Sequence, residues 1–91
     1  MIKKKYGQRT HAKKRALERF GHEYTKQERL KIIHDIQNGS SEVKFISRFS
    51  NRLSTWQIHL GDQIAIAVYD RNTKEIATFL PEHYDLSPAY R

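Results

Sequence analysis

The chain of 91 residues contains no cysteine. This absence excludes disulfide bonds, thiolate metal sites and a cysteine nucleophile, and it is consistent with a reducing compartment. No apolar run approaches the length of a membrane span, and no apolar signal-peptide segment follows the basic N-terminus. We therefore expect one cytoplasmic domain that does not bind a membrane.

Several catalytic motifs are also missing. The four glycines are scattered, so there is no glycine-rich phosphate loop, and there is no Gly-x-Ser-x-Gly elbow. The histidines lack the spacing of a strong zinc motif such as HExxH, and we expect neither a metal site nor a cofactor.

Basic residues are abundant. Seventeen Lys and Arg oppose ten Asp and Glu, which gives a formal charge of +7. The N-terminal twenty residues carry a cluster: Lys3, Lys4, Lys5, Arg9, Lys13, Lys14, Arg15 and Arg19. Such a cluster attracts phosphates and releases their counterions, so it favours a polyanionic partner. The alternative is a solvated surface that keeps a small protein in solution.

The helical part of the sequence comes first. Residues 1–9 have no apolar period and are predicted to form a flexible basic arm, followed by one α+β domain at 10–91. Thr10 can cap a helix that ends at Phe20, before Gly21. Its predicted buried stripe is Ala12, Ala16, Leu17 and Phe20.

A second helix is predicted from a capping box, Thr25 to Glu28. It extends to about Asn38, and Gly39 ends it. Its apolar residues are Leu30, Ile32, Ile33 and Ile36.

After Gly39 the apolar period changes to two, which indicates strands at 43–49, 54–60, 63–70 and 75–80. Short connectors favour an antiparallel meander. We therefore predict two N-terminal helices packed on one face of a four-stranded antiparallel sheet.

The alternation assigns each strand residue to a face of this sheet. The face under the helices is predicted to hold Trp56, Ile58, Ile64, Ile66 and Val68. The opposite face is predicted to display Lys44, Arg48, Ser50, Thr55, Gln57, His59, Ala65, Ala67 and Tyr69. This polar face, with small alanines on the third strand, suits an RNA chain. The alternative is that it binds no ligand, because antiparallel sheets commonly expose one face to water.

His11 and Arg15 are separated by four residues, so they share a helical face opposite the predicted buried stripe. A neighbouring cation favours the neutral imidazole, which suits a general base near neutral pH. Arg15 and Arg48 would then stabilise negative charge on a phosphorane. The alternative is that His11 and Arg15 are solvated residues of the first turn.

The segment His11-Ala12-x-x-Arg15-x-x-x-Arg19-x-Gly21, followed by a Thr-capped helix and a meander, resembles small bacterial and phage domains. These domains are placed near the superfamily of barnase, EndoU, the tRNA-cutting colicins and the RelE-like toxins. The resemblance implies a RelE-like fold and metal-independent ribonuclease activity on the polar sheet face. The matching positions are His11, Arg15, Arg48, Ser50, Thr55, Tyr69 and Tyr84. The sequence departs from RelE-type toxins in lacking a basic C-terminal helix and in having alanines on the third strand.

We therefore predict a metal-independent endoribonuclease-like, RNA-binding domain, a toxin or a phage host-takeover factor. Its predicted catalytic residues are His11, Arg15, Arg48 and Tyr69. Its predicted RNA-binding residues are Lys13, Lys14, Lys44, Ser50, Thr55, Gln57, His59 and Tyr84. Expected partners are RNA, the ribosome or a cognate inhibitor. The alternatives are a non-catalytic binder of nucleic acid, ribosome or host protein, or a sequestering protein for a phosphorylated nucleotide.

Overall fold

The computed structural model describes the backbone of residues 4–81 and the side chains of residues 7–81. Two helices precede a four-stranded antiparallel sheet of strand order β1-β2-β3-β4, which confirms the predicted α+β meander. The elements are α1 Lys4–Phe20, α2 Lys26–Asn38, β1 Lys44–Arg48, β2 Leu53–Leu60, β3 Gln63–Asp70 and β4 Glu75–Leu80. Neither described helix is long and apolar enough to cross a membrane.

Both ends of α2 follow from local sequence. The Thr25 hydroxyl accepts a hydrogen bond from the Glu28 backbone N–H at 3.1 Å, as an N-cap does. Gly39 ends the helix in the left-handed conformation (φ 67°), where a residue without Cβ avoids strain. The Glu28 carboxylate is used elsewhere: it accepts from the Gly61 N–H and contacts His22. The predicted bounds of α2 are confirmed.

The first helix begins earlier than predicted, at Lys4 rather than after Thr10. Residues 4–9 of the predicted arm are therefore helical, while residues 1–3 lie outside the described part of the chain. Gln8 Nε2 donates to the Asp70 carboxylate at 2.9 Å, and Arg9 Nε donates to Glu75 at 2.7 Å. These bonds span more than sixty residues of sequence, so the local apolar period does not reveal them.

α1 packs beside β4, at one edge of the sheet. Ala12 and Ala16 have no solvent exposure, and their small side chains let the helix approach closely. Arg19 Nη1 donates to the Phe79 carbonyl oxygen at 2.8 Å. α1 therefore covers the β4 edge, while β1 forms the other edge of the sheet.

The predicted faces of β3 are wrong. Ala65 and Ala67 are buried and lie opposite Ile58 and Trp56 in the register, and antiparallel partners share a face. These alanines therefore lie under the helices. Ile64, predicted to be buried, is 57% exposed, and Val68 shares the outer face with its partner Thr55. Tyr69 is also buried, and its hydroxyl accepts from Gln37 Nε2 of α2 at 3.0 Å. The register with β2 therefore places Ala65, Ala67 and Tyr69, and not the isoleucines, on the buried face of β3.

Leu17, predicted to be buried, is 61% exposed, and Leu30 of α2 is 50% exposed. The helices contribute to the core through Ala12, Ala16, Phe20, Ile32, Ile33 and Ile36 instead. The buried side of α1 is centred on its two alanines, and Leu17 lies too far around the helix to reach the sheet.

A bulge in β1 changes which of its residues share a face. The register shifts between Phe45 and Ser47, so Lys44 pairs with Gln57 while Arg48 pairs with Ser54. Gln57 and Ser54 are three residues apart on β2 and lie on opposite faces. Lys44 and Arg48 are therefore on opposite faces, and the prediction that they share one is wrong.

Candidate functional site

Three side chains that favour anion binding lie along one side of α1. His11, Arg15 and Arg19 follow one another at intervals of four residues, with a rise of about 6 Å per interval. His11 and Arg19 are exposed, and Arg15 is half-buried. We call these three residues the α1 ridge.

The charges of the α1 ridge act on its histidine. Partial burial and the positive charges of Arg15 and Arg19 lower the pKa of His11 below its ordinary value of 6.5. Lys14 lowers this pKa as well, while Glu18 opposes the shift. The imidazole is therefore more often neutral near pH 6 to 7 than a free histidine, and a neutral imidazole can accept a proton.

Arg15 has a carboxylate partner on its own helix. Its Nη1 lies 2.6 Å from Glu18 Oε1, three residues further along α1. Exposed pairs of this kind contribute little to stability, so a phosphate can replace Glu18 at little cost.

Arg19 joins the α1 ridge to the edge of the sheet. Its guanidinium donates to the Phe79 carbonyl, and the Thr78 hydroxyl oxygen lies 3.5 Å from the same carbonyl oxygen. Thr78 is half-exposed and lies on the outer face with its partner Val68. We did not predict Arg19 or Thr78 as site residues. The repeated four-residue spacing after Arg15 signals Arg19, whereas nothing in the sequence signals Thr78.

Lys13 and Lys14, predicted to bind RNA, are both exposed on α1. Lys14 is close enough to affect the pKa of His11. Lys13 lies on the other side of the Ala12–Ala16 stripe from His11, so the two lysines face different directions.

The structure does not bring Arg48 to the α1 ridge. Arg48 is exposed on β1, at the edge opposite β4 and α1. Three strand spacings separate β1 from β4, which is about 14 Å. The predicted pairing of Arg15 and Arg48 around one phosphate is therefore wrong.

Tyr69 and Thr55 are not accessible to a ligand on the outer face. Tyr69 is buried under the helices, as described above. Thr55 is on the outer face but fully buried, with its hydroxyl 2.9 Å from that of Ser47. The prediction that these two side chains face RNA is therefore wrong in both cases.

The remaining predicted residues are dispersed. Ser50 is exposed in the β1–β2 turn, where its hydroxyl accepts from the Arg52 and Leu53 N–H groups. It therefore supports a turn and does not lie on the sheet face. Lys44 and Gln57 are neighbours on the outer face. Tyr84 lies outside the described residues.

His59 borders a pocket of about 270 Å³ between α2 and the sheet. Its floor includes Ile32 and Ile58, and its walls carry carboxylates. Three carboxylates line it, those of Glu28, Asp35 and Glu42, against one lysine, Lys31, so the net charge of these side chains is negative. Negative charge disfavours a phosphate here, so His59 does not belong with the α1 ridge.

Two buried carboxylates at the β3–β4 turn hold another set of basic residues. Glu75 contacts Arg9 and Arg29, and Asp70 contacts Arg52 and Gln8. Burial raises the pKa of Asp70, but hydrogen bonds from Gln8 and from two backbone N–H groups, with the Arg52 charge, outweigh it. The net pKa of Asp70 lies below its ordinary value, so the carboxylate is ionised at neutral pH. This cluster stabilises the fold.

Among residues 7–81, no group of three His, Asp or Glu side chains could hold a metal ion. The chemistry of the α1 ridge is therefore that of a histidine, two arginines and a nearby hydroxyl.

Comparison of the chain with protein-family models, with curated proteins and with solved structures gives no match.

Proposed function

We propose that the protein binds RNA along the α1 ridge and cleaves it without a metal ion. The observation that carries this proposal is the alignment of His11, Arg15 and Arg19 on one side of α1, with the pKa of the histidine lowered by partial burial and by its basic neighbours. The proposal includes a RelE-like fold relationship, which the order of two helices followed by a four-stranded meander supports.

The chemistry requires few groups. The 2′-oxygen of a ribose forms a bond to the adjacent phosphorus, and the bond from phosphorus to the 5′-oxygen breaks. Neutral His11 accepts the proton of the 2′-hydroxyl, and Arg15 and Arg19 stabilise the charge that grows on the phosphate oxygens. The departing 5′-oxygen takes a proton from water or from a protonated group.

The two arginines suit this role because their charge does not depend on pH and their planar heads match phosphate oxygens. Arg15 gives up only an exposed Glu18 contact. Arg19 is fixed by the Phe79 carbonyl, so less side-chain entropy is lost on binding. The formal charge of +7 adds a long-range attraction for any RNA.

The test is incubation of the purified protein with total RNA in EDTA, followed by mapping of the cleaved ends. We expect cleavage that leaves 5′-hydroxyl ends. His11→Ala should lower the rate by about 10²–10⁴-fold with little change in RNA affinity, because the residue is exposed and acts on a proton.

His34→Ala is the matched control, because His34 is an exposed histidine on the other helix. It should leave the rate unchanged. Equal rates in the wild-type protein and in His11→Ala would contradict a catalytic histidine.

A second function, RNA binding without cleavage, is favoured by one observation. Arg48 and Tyr69 were expected beside His11, and the structure places one across the sheet and buries the other. Fewer reactive groups therefore surround the α1 ridge than the resemblance implies. A wild-type protein that binds RNA with strong salt dependence but leaves it intact would support this second function.

A further inference from the structure

Two aromatic rings lie together at the uncovered edge of the sheet. Phe45 of β1 and Trp56 of β2 are register partners, with ring centroids 5.3 Å apart and ring planes at 75°. Phe45 is 47% exposed and Trp56 is half-buried. We call this pair the aromatic platform.

The indole N–H of Trp56, the polar group of the aromatic platform, already has a hydrogen-bond partner. Trp56 Nε1 donates to the Ser54 hydroxyl at 2.9 Å, and Ser54 is itself buried. The ring surfaces that remain open to solvent are therefore apolar. A large exposed aromatic side chain at an edge strand favours a partner that stacks or packs on it.

The charge next to the aromatic platform indicates which kind of partner packs on its rings. Arg48 pairs with Ser54 in the register, so it lies on the same face as the platform and next to Trp56. Arg48 is exposed and makes no ion pair with any residue that the structure describes. Lys44, at the other end of β1, is exposed on the opposite face of the sheet and does not flank the rings. A cation beside open rings suits a ligand that presents both phosphates and flat bases.

The edge itself disfavours a protein strand. β1 has only five residues, contains a bulge and carries a cation at each end. Natural sheets use these features to prevent edge-to-edge pairing.

We propose that the aromatic platform stacks the bases of single-stranded RNA, with Arg48 contacting an adjacent phosphate. This inference rests on the proposed RNA binding at the α1 ridge and gives the substrate class, an unpaired RNA strand. A duplex cannot use the platform, because its bases are already stacked on one another.

The test uses the only tryptophan of the chain as its reporter. A 2′-O-methyl oligouridine has no free 2′-hydroxyl, so its binding is measured apart from cleavage. We expect it to quench Trp56 fluorescence on binding. Inorganic polyphosphate, which has charge but no bases, should bind without quenching.

Substitutions at Phe45 separate stacking from simple apolar contact. Phe45→Leu should weaken oligouridine binding by about 5- to 150-fold, the range for loss of one base–aromatic stack, while Phe45→Tyr should retain affinity. Ile64→Ala, which removes an exposed apolar side chain from the outer face, should have no effect. Thermal unfolding of each variant separates lost binding from lost folding.

The outcomes distinguish the two proposals. Oligouridine that binds without quenching, or binds equally well to Phe45→Leu, overturns the platform and leaves the α1 ridge in place. Quenching that persists in His11→Ala supports a platform separate from the reacting groups. A protein that binds neither oligouridine nor polyphosphate overturns both proposals. Retained affinity in Phe45→Leu together with capture of a protein partner would identify the patch as a protein-docking surface.

Discussion

Two arginines of α1 each contact a carboxylate, and the two carboxylates differ in depth. Arg9 contacts Glu75, whose side chain is 3% exposed, while Arg15 contacts Glu18, whose side chain is 47% exposed. The distances are nearly equal, 2.7 Å and 2.6 Å. Contact geometry alone therefore does not distinguish the two pairs.

The burial of the carboxylate determines how much each ion pair contributes to the stability of the fold. A buried carboxylate has lost its hydration, so it depends on its cations, whereas an exposed carboxylate is solvated with or without them. Arg9 is consequently committed to the fold, and Arg15 remains available to a ligand. The same distinction applies across the molecule: Arg29 is also held by Glu75, and Arg52 by buried Asp70.

The largest expected difference between the two pairs is in stability. Glu75→Ala removes the partner of Arg9 and Arg29, and we expect the free energy of unfolding to fall by about 3 kcal/mol, at the lower end for a broken buried pair because Arg9 is partly exposed. Glu18→Ala, the matched control, should change it by less than about 0.5 kcal/mol. Urea unfolding measures both. Similar losses in the two variants would remove the distinction between a structural arginine and an available one.

A smaller effect should appear in the titration of His11. The pKa of His11, followed by NMR, should lie below 6.5 in the wild-type protein. Arg15→Gln should raise this pKa, because it removes a positive charge. Glu18→Gln should lower it further, because Glu18 opposes the shift. Protonated His11 costs stability, and this cost is complete below the lowered pKa and absent above about pH 6.5.

Arg71→Gln serves as the control for that titration, because Arg71 is exposed in the β3–β4 turn. It should leave the pKa of His11 unchanged. A pKa of His11 at or above 6.5 in the wild-type protein would show that the α1 ridge does not act on its histidine.

The parts of the fold that the sequence predicts are those with local signals. Thr25 and Gly39 bound α2, and the alternation from residue 43 onward predicts all four strands in the correct order. The start of α1 has no such signal, because Gln8 and Arg9 are held by carboxylates more than sixty residues away.

The faces of β3 show why a period-two pattern is insufficient. Both of its alternating sets are apolar: Ile64, Ile66 and Val68 in one, Ala65, Ala67 and Tyr69 in the other. Hydrophobicity favours the isoleucines for the core, but the register with β2 places the two alanines and Tyr69 on the buried face. A prediction that depends on the choice of face therefore fails for Tyr69 as a site residue.

The residues of the candidate site also differ in whether local sequence predicts their position. His11 and Arg15 follow from helical spacing within one element, and the structure keeps them side by side. Arg48 depends on the bulge in β1 and on the strand order, neither of which the spacing contains. Thr78 is identified only from the structure, in which the Arg19 guanidinium and the Thr78 hydroxyl both lie close to the Phe79 carbonyl oxygen.

The smallest expected effect is at Tyr24, which lies beside the Glu75 cluster. Its ring packs edge-on against Phe79 at 5.0 Å, and its hydroxyl is buried without a hydrogen-bond partner among the described residues. Tyr24→Phe retains the ring and removes an unpaired polar group. The free energy of unfolding should therefore stay within about 0.5 kcal/mol of the wild-type value or rise by about 1 kcal/mol. Tyr69→Phe is the matched control, because its hydroxyl accepts from Gln37 and its loss should cost about 1 kcal/mol. Urea unfolding of the two variants decides the comparison. A loss above about 1 kcal/mol in Tyr24→Phe would mean that this hydroxyl has a partner and belongs to the buried polar cluster.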